Sequence, residues 1–75
     1  MDVIETLKEK FLKDWNANVG MILKYKGEYY VKSDFPESIT LARYNEELIE
    51  DGFIFTTSEL GEDVIDKAKV IFSVF

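Results

Sequence analysis

Cysteine and histidine are both missing from this 75-residue chain, and the two absences remove most of the familiar side-chain chemistry. Without cysteine there is no disulfide, no thiolate nucleophile and no sulfur ligand for a metal. Without histidine the chain lacks the side chain that most often moves protons near neutral pH, and the commonest nitrogen ligand for transition metals. Ser33, Ser38, Ser58 and Ser73 therefore have no imidazole to activate them. The four glycines are scattered and build no phosphate-cradling loop. No apolar run approaches the roughly 20 residues that a membrane span requires. Charged Asp2, Glu5, Lys8, Glu9 and Lys10 argue against a secretory signal, so a cytoplasmic location is expected. These exclusions lead to a protein that is not an enzyme and uses no cofactor and no metal.

What the chain does have is apolar mass and unevenly placed charge. A hydrophobic content of 47% with eleven aromatic residues is too high for a disordered chain, which lacks the apolar area to offset its entropy. A chain this short has room for one core, so residues 1–75 read as one domain. The net charge of -6 is concentrated: residues 34–66 hold ten carboxylates and the sole arginine, Arg43, while both flanks are net basic. Such a concentration favours basic partners and repels nucleic acid.

The periodicities predict an α+β fold in the order α-β-β-α-β-(α)-β, with about four antiparallel strands and two or three helices. Asp2 is placed to cap a first helix, with Glu5 completing a capping-box pair, and Ile4, Leu7, Phe11 and Trp15 share one stripe. Phe11 and Trp15 are read as core, since aromatics at helical spacing usually are. Asn16 and Asn18 end the helix. A hairpin over Val19–Lys32 is expected to turn through a three-residue loop, Tyr25-Lys26-Gly27, pairing Lys24 with Glu28, Leu23 with Tyr29 and Met21 with Val31. Ser38 is read as the cap of a second helix, Ile39 to about Asp51, closed by Gly52. Phe53-Ile54-Phe55-Thr56 is a strand apolar on both faces, hence expected to be central; the alternation of Val70–Phe75 suits a strand that is either central, the favoured reading, or paired across a two-fold axis. Ser58–Ala68 fits helical spacing but is weakened by Gly61.

The candidate site is the acidic run: Glu46, Glu47, Glu50 and Asp51 on the second helix, with Glu59, Glu62, Asp63 and Asp66 on the next. Carboxylates on rigid helices can imitate the phosphates of a nucleic acid, spaced one charge per about 1.7 Å of duplex. A groove evolved for phosphate would bind them through bidentate arginine contacts. The competing reading is ordinary solvated surface that keeps a small protein soluble. A calcium loop is disfavoured because Glu59-Leu60-Gly61-Glu62-Asp63 lacks the alternating oxygen spacing. Lys24, Lys26 and Lys32 interleave with Tyr25, Tyr29 and Tyr30 as in some nucleic-acid surfaces, but Glu28 interrupts them and the overall charge is wrong.

Short, acidic and cysteine-free, the chain is similar in profile to small phage- or mobile-element-encoded inhibitors, including nucleic-acid mimics that block host defence proteins. That likeness is one of composition and rests on no motif. The function it implies is inhibition by docking an acidic face on a basic, nucleic-acid-binding protein. The alternative is a self-association module, a homodimer through the C-terminal strand, with the acids only solubilising.

Overall fold

The computed structural model of the chain describes residues 2–55 and 67–75. They form an α+β arrangement of one helix, α1 (Val3–Trp15), and five strands: β1 (Val19–Tyr25), β2 (Glu28–Ser33), β3 (Thr40–Tyr44), β4 (Glu50–Phe55) and β5 (Lys69–Ser73). The sheet is antiparallel throughout, in the order β4-β3-β2-β1-β5. The class is as expected; the sheet has one strand more, and one helix is present among the described residues.

Asp2 caps α1, its Oδ1 accepting from the N–H groups of Ile4 (3.0 Å) and Glu5 (3.3 Å). Glu5 turns its carboxylate to Lys8 at 3.4 Å, an i,i+3 pair. Asn16 ends the helix in the left-handed region, φ 51°, and its N–H donates to the Leu12 carbonyl. Leu7 and Phe11 are buried against the sheet with Ile22, Val31, Ala42, Tyr44 and Leu48. Burying each such side chain contributes about 1.5–3 kcal/mol. Trp15 departs from the core reading: one turn beyond Phe11, it overhangs the sheet and stays 36% exposed.

The first hairpin corrects the expected register. Tyr25 pairs with Glu28, Lys24 with Tyr29, Leu23 with Tyr30 and Ile22 with Val31. The loop is the two residues Lys26 and Gly27, both at positive φ (49° and 81°). Two left-handed residues match the twist of the flanking strands, so the shorter loop wins. Counting polar against apolar side chains missed this because the sheet is apolar on both faces. Ile22 and Val31 pack under α1, whereas Leu23 and Tyr30 join Leu41 and Ile54 in a second buried cluster.

The second helix is absent. Residues 40–55 are a hairpin, with Thr40 opposite Phe55, Ala42 opposite Phe53 and Tyr44 opposite Glu50. Leu41, Tyr44 and Leu48 mimic a helical stripe, and all three are buried. Leu41 and Ala42, adjacent in sequence, are also both buried, which a strand between two apolar layers achieves and an amphipathic helix does not. Among the described residues the two strands expected to be central, β4 and β5, are the sheet's two edges. Phe53 and Phe55 of β4 and Val70 of β5 are exposed, as are Val74 and Phe75 just beyond β5, while Ile54 is buried and Ile71 and Phe72 pack against the core. The helix considered over Ser58–Ala68 lies almost wholly outside the described residues. No helix among them is long and apolar enough to cross a membrane.

Candidate partner-binding site

The acidic end of the molecule is built by the β3–β4 turn. Asn45 organises it: its side-chain oxygen accepts from the N–H groups of Glu47 (2.9 Å) and Ile49 (3.1 Å). Its backbone exchanges bonds with Leu48 and Ile49. Asparagine is suited to this, because its short amide imitates a backbone turn. Leu48 sits at φ 62° yet is buried, pinning the turn into the core. Lys10 of α1 fastens it from outside, donating to the Leu48 carbonyl at 2.6 Å. With Leu48 drawn inward, Glu46 and Glu47 are held exposed at the tip.

At the start of β4 the chain bulges. Gly52 adopts φ 101°, a conformation costly for any other residue, and the register shifts between Ala42 and Tyr44. Arg43 fills the bulge. Its Nε and Nη2 both donate to the Asp51 carbonyl, at 3.1 and 2.8 Å. Nε also lies 3.3 Å from Glu28 Oε2 and 3.8 Å from Asp51 Oδ2. The single arginine is thus committed to structure, and it offsets Glu28 and Asp51 without reaching Glu46 or Glu47. These half-exposed pairs contribute at most about 1 kcal/mol each.

Four of the eight expected acids are therefore brought to one end, on a turn and a strand instead of a helix. Glu46, Glu47 and Asp51 line an open hollow of about 350 Å³ with Lys26, Gly27, Glu28 and Asn45. Glu50 opens to the other side of the sheet, into a hollow shared with Lys10, Lys13 and Asp14. Glu59, Glu62, Asp63 and Asp66 lie outside the described residues. Among the described residues, no group of three carboxylates is close enough to hold a metal ion.

Two buried phenols are shifted upward. Burial chiefly raises the Tyr44 pKa, with its hydrogen bond to Asp14 adding to the effect. Burial also raises that of Tyr30, helped by the nearby Glu28 carboxylate and opposed by Arg43. Neither phenol is suited to proton transfer near neutral pH.

The sequence did not disclose an exposed row of aromatic rings beside the acidic end. Trp15 stacks on Phe11 (6.1 Å between centroids) and meets Phe53 edge-on at 5.8 Å, and Phe53 meets Phe55 at 6.0 Å. Phe53 and Phe55 are 53% and 42% exposed. The alternation around Ile54 was visible, but nothing local marked Ile54 as the sole inward residue. Set against known proteins, the chain matches no family model, no curated protein and no solved structure.

Proposed function

We propose that this protein is a non-enzymatic binding protein that docks its acidic β3–β4 end on a basic surface of a nucleic-acid-binding protein and so inhibits it. The observation that carries the reading is the turn itself. Glu46 and Glu47 are displayed on a short loop fixed by Asn45, Leu48 and Lys10, so little backbone freedom is lost on binding. Surfaces evolved for phosphate are the densest source of arginine and lysine, and guanidinium forks fit carboxylates in pairs. A phage or mobile-element inhibitor of host defence is the setting that suits such a contact.

The test is a tagged pull-down from the source lysate at low salt, eluted with rising salt. A dominant basic protein released at moderate salt is the expected result, because exposed charge contacts weaken steeply with ionic strength. Glu46→Lys combined with Glu47→Lys should lose that protein while leaving the thermal midpoint nearly unchanged, since neither residue is in an ion pair among the described residues. Undiminished capture by the double variant would falsify the proposal.

A second reading is favoured by the position of β5. It is an edge of the described sheet with Val70, Val74 and Phe75 exposed, and such an edge pairs readily with its own copy across a two-fold axis. Sedimentation at rising protein concentration separates the two: a salt-insensitive dimer broken by Ile71→Pro supports self-association.

A further inference from the structure

The aromatic row and the acidic turn lie along the same edge of the sheet. Among the described residues β4 is paired on one side, with β3. Among the described residues its outer edge therefore leaves N–H and C=O groups unpaired, the template for an added strand. On the helix side of that edge stand Phe53 and Phe55, with Trp15 behind them. A strand laid against β4 runs about 4.8 Å away and sends every second side chain to that side, into contact with the two rings.

Charge decides what that strand is. Glu46, Glu47, Glu50 and Asp51 precede the rings along the chain, and all four are exposed. A second β4 would bring the same exposed acids to the contact and gains no charge attraction there. A cationic strand is attracted instead. The opposite edge discriminates the other way, because Lys67 and Lys69 stand at the start of β5. The bulge at Gly52 twists β4, so regular pairing runs along Phe53–Phe55 and the added segment continues past the bulge to reach the acids with its cationic residues.

We propose that β4 accepts, as an additional strand, an extended basic segment of the partner protein, with alternate apolar side chains packed on Phe53 and Phe55 and its lysines or arginines beside Glu46, Glu47, Glu50 and Asp51. Main-chain bonds to the edge supply affinity, and the rings and carboxylates supply selectivity. This rests on the reading of the acidic end as a docking site and adds the form of the partner.

The probe is an acetylated, amidated peptide, Lys-Val-Lys-Val-Lys-Phe-Lys, titrated into the full chain. Trp15 is the only tryptophan and belongs to the aromatic row, so its fluorescence reports occupancy. The expected result is saturable binding that weakens about tenfold or more when alternate amides of the peptide are N-methylated, which removes strand donors and leaves charge intact. Phe53→Ser with Phe55→Ser should weaken it similarly, with the fold checked by circular dichroism.

Equal binding of the N-methylated peptides in both alternations overturns strand addition and leaves the acidic-end docking standing. Equal binding of a peptide with glutamate for lysine, or by the Glu46→Lys, Glu47→Lys chain, overturns the basic occupant and the acidic-end reading together. Self-assembly of the chain that Phe53→Ser dissolves shows a second copy on the edge and overturns the partner strand. No binding up to about 1 mM peptide overturns it outright.

Discussion

The hydroxyl of Tyr44, on β3, donates a 3.0 Å hydrogen bond to Asp14 Oδ2 near the end of α1. Tyr44 is fully buried, so this bond ties helix to sheet at the point where the core gives way to the acidic turn. It also makes stability sensitive to high pH. The unfolded phenols release their protons near the ordinary value of 10.0, whereas the folded Tyr44 and Tyr30 hold theirs to higher pH. Their contribution is complete below pH 10 and is lost as pH rises through the folded values. Thermal melts should therefore be flat across neutral and mildly alkaline pH and fall beyond pH 10, together with a rise in tyrosinate absorbance. Tyr44→Phe should lower stability at neutral pH by about 1 kcal/mol and make the alkaline decline shallower. An equally steep decline in that variant would show that Tyr44 does not cause it.

The Lys26-Gly27 turn gives a prediction of opposite sign at two adjacent positions. Gly27 is at φ 81°, and a Cβ there would stand 2.7 Å from Glu46 Oε1. The carboxylate can swing away, so backbone strain dominates, and Gly27→Ala should cost about 1–2 kcal/mol. Lys26 is a side chain at φ 49° where asparagine is better tolerated. Lys26→Asn should gain about 0.5 kcal/mol, raising the thermal midpoint by roughly 2–4 °C in a domain this small. It also removes a cation from the rim of the acidic hollow, so affinity for the lysine peptide should rise with stability.

How far the sequence was legible depended on whether the deciding force was local. The Asp2 cap, the Leu7 and Phe11 stripe and the stop at Asn16 are interactions within one element, and they read correctly. The first hairpin was found, but its register depended on the sheet having apolar contents on both faces, which no single strand pair reveals. The second hairpin was read as a helix because Leu41, Tyr44 and Leu48 fall at helical spacing; the Asn45 turn that separates them depends on one side-chain amide. The edge positions of β4 and β5 are a matter of topology, to which composition is blind. Consequently Glu46, Glu47, Glu50 and Asp51 were assigned to a helix where the chain forms a turn and a strand, and the rings that border them were misplaced into the core.

Leu48 offers a direct test of turn against helix. It is buried while adopting φ 62°, so two energies act on it in opposite directions. Truncation to alanine should cost about 2–4 kcal/mol, because the apolar contacts are lost and the left-handed strain remains. Truncation to glycine loses the same contacts and relieves that strain. Leu48→Gly should therefore be as stable as Leu48→Ala or up to about 1 kcal/mol more stable, in contrast to a helix interior, where glycine is the worse by about 1 kcal/mol. Urea midpoints of the two variants, compared at equal m-value, decide the matter. Glycine clearly below alanine would restore the helix, dissolve the fixed display of Glu46 and Glu47, and remove the edge on which the added strand depends.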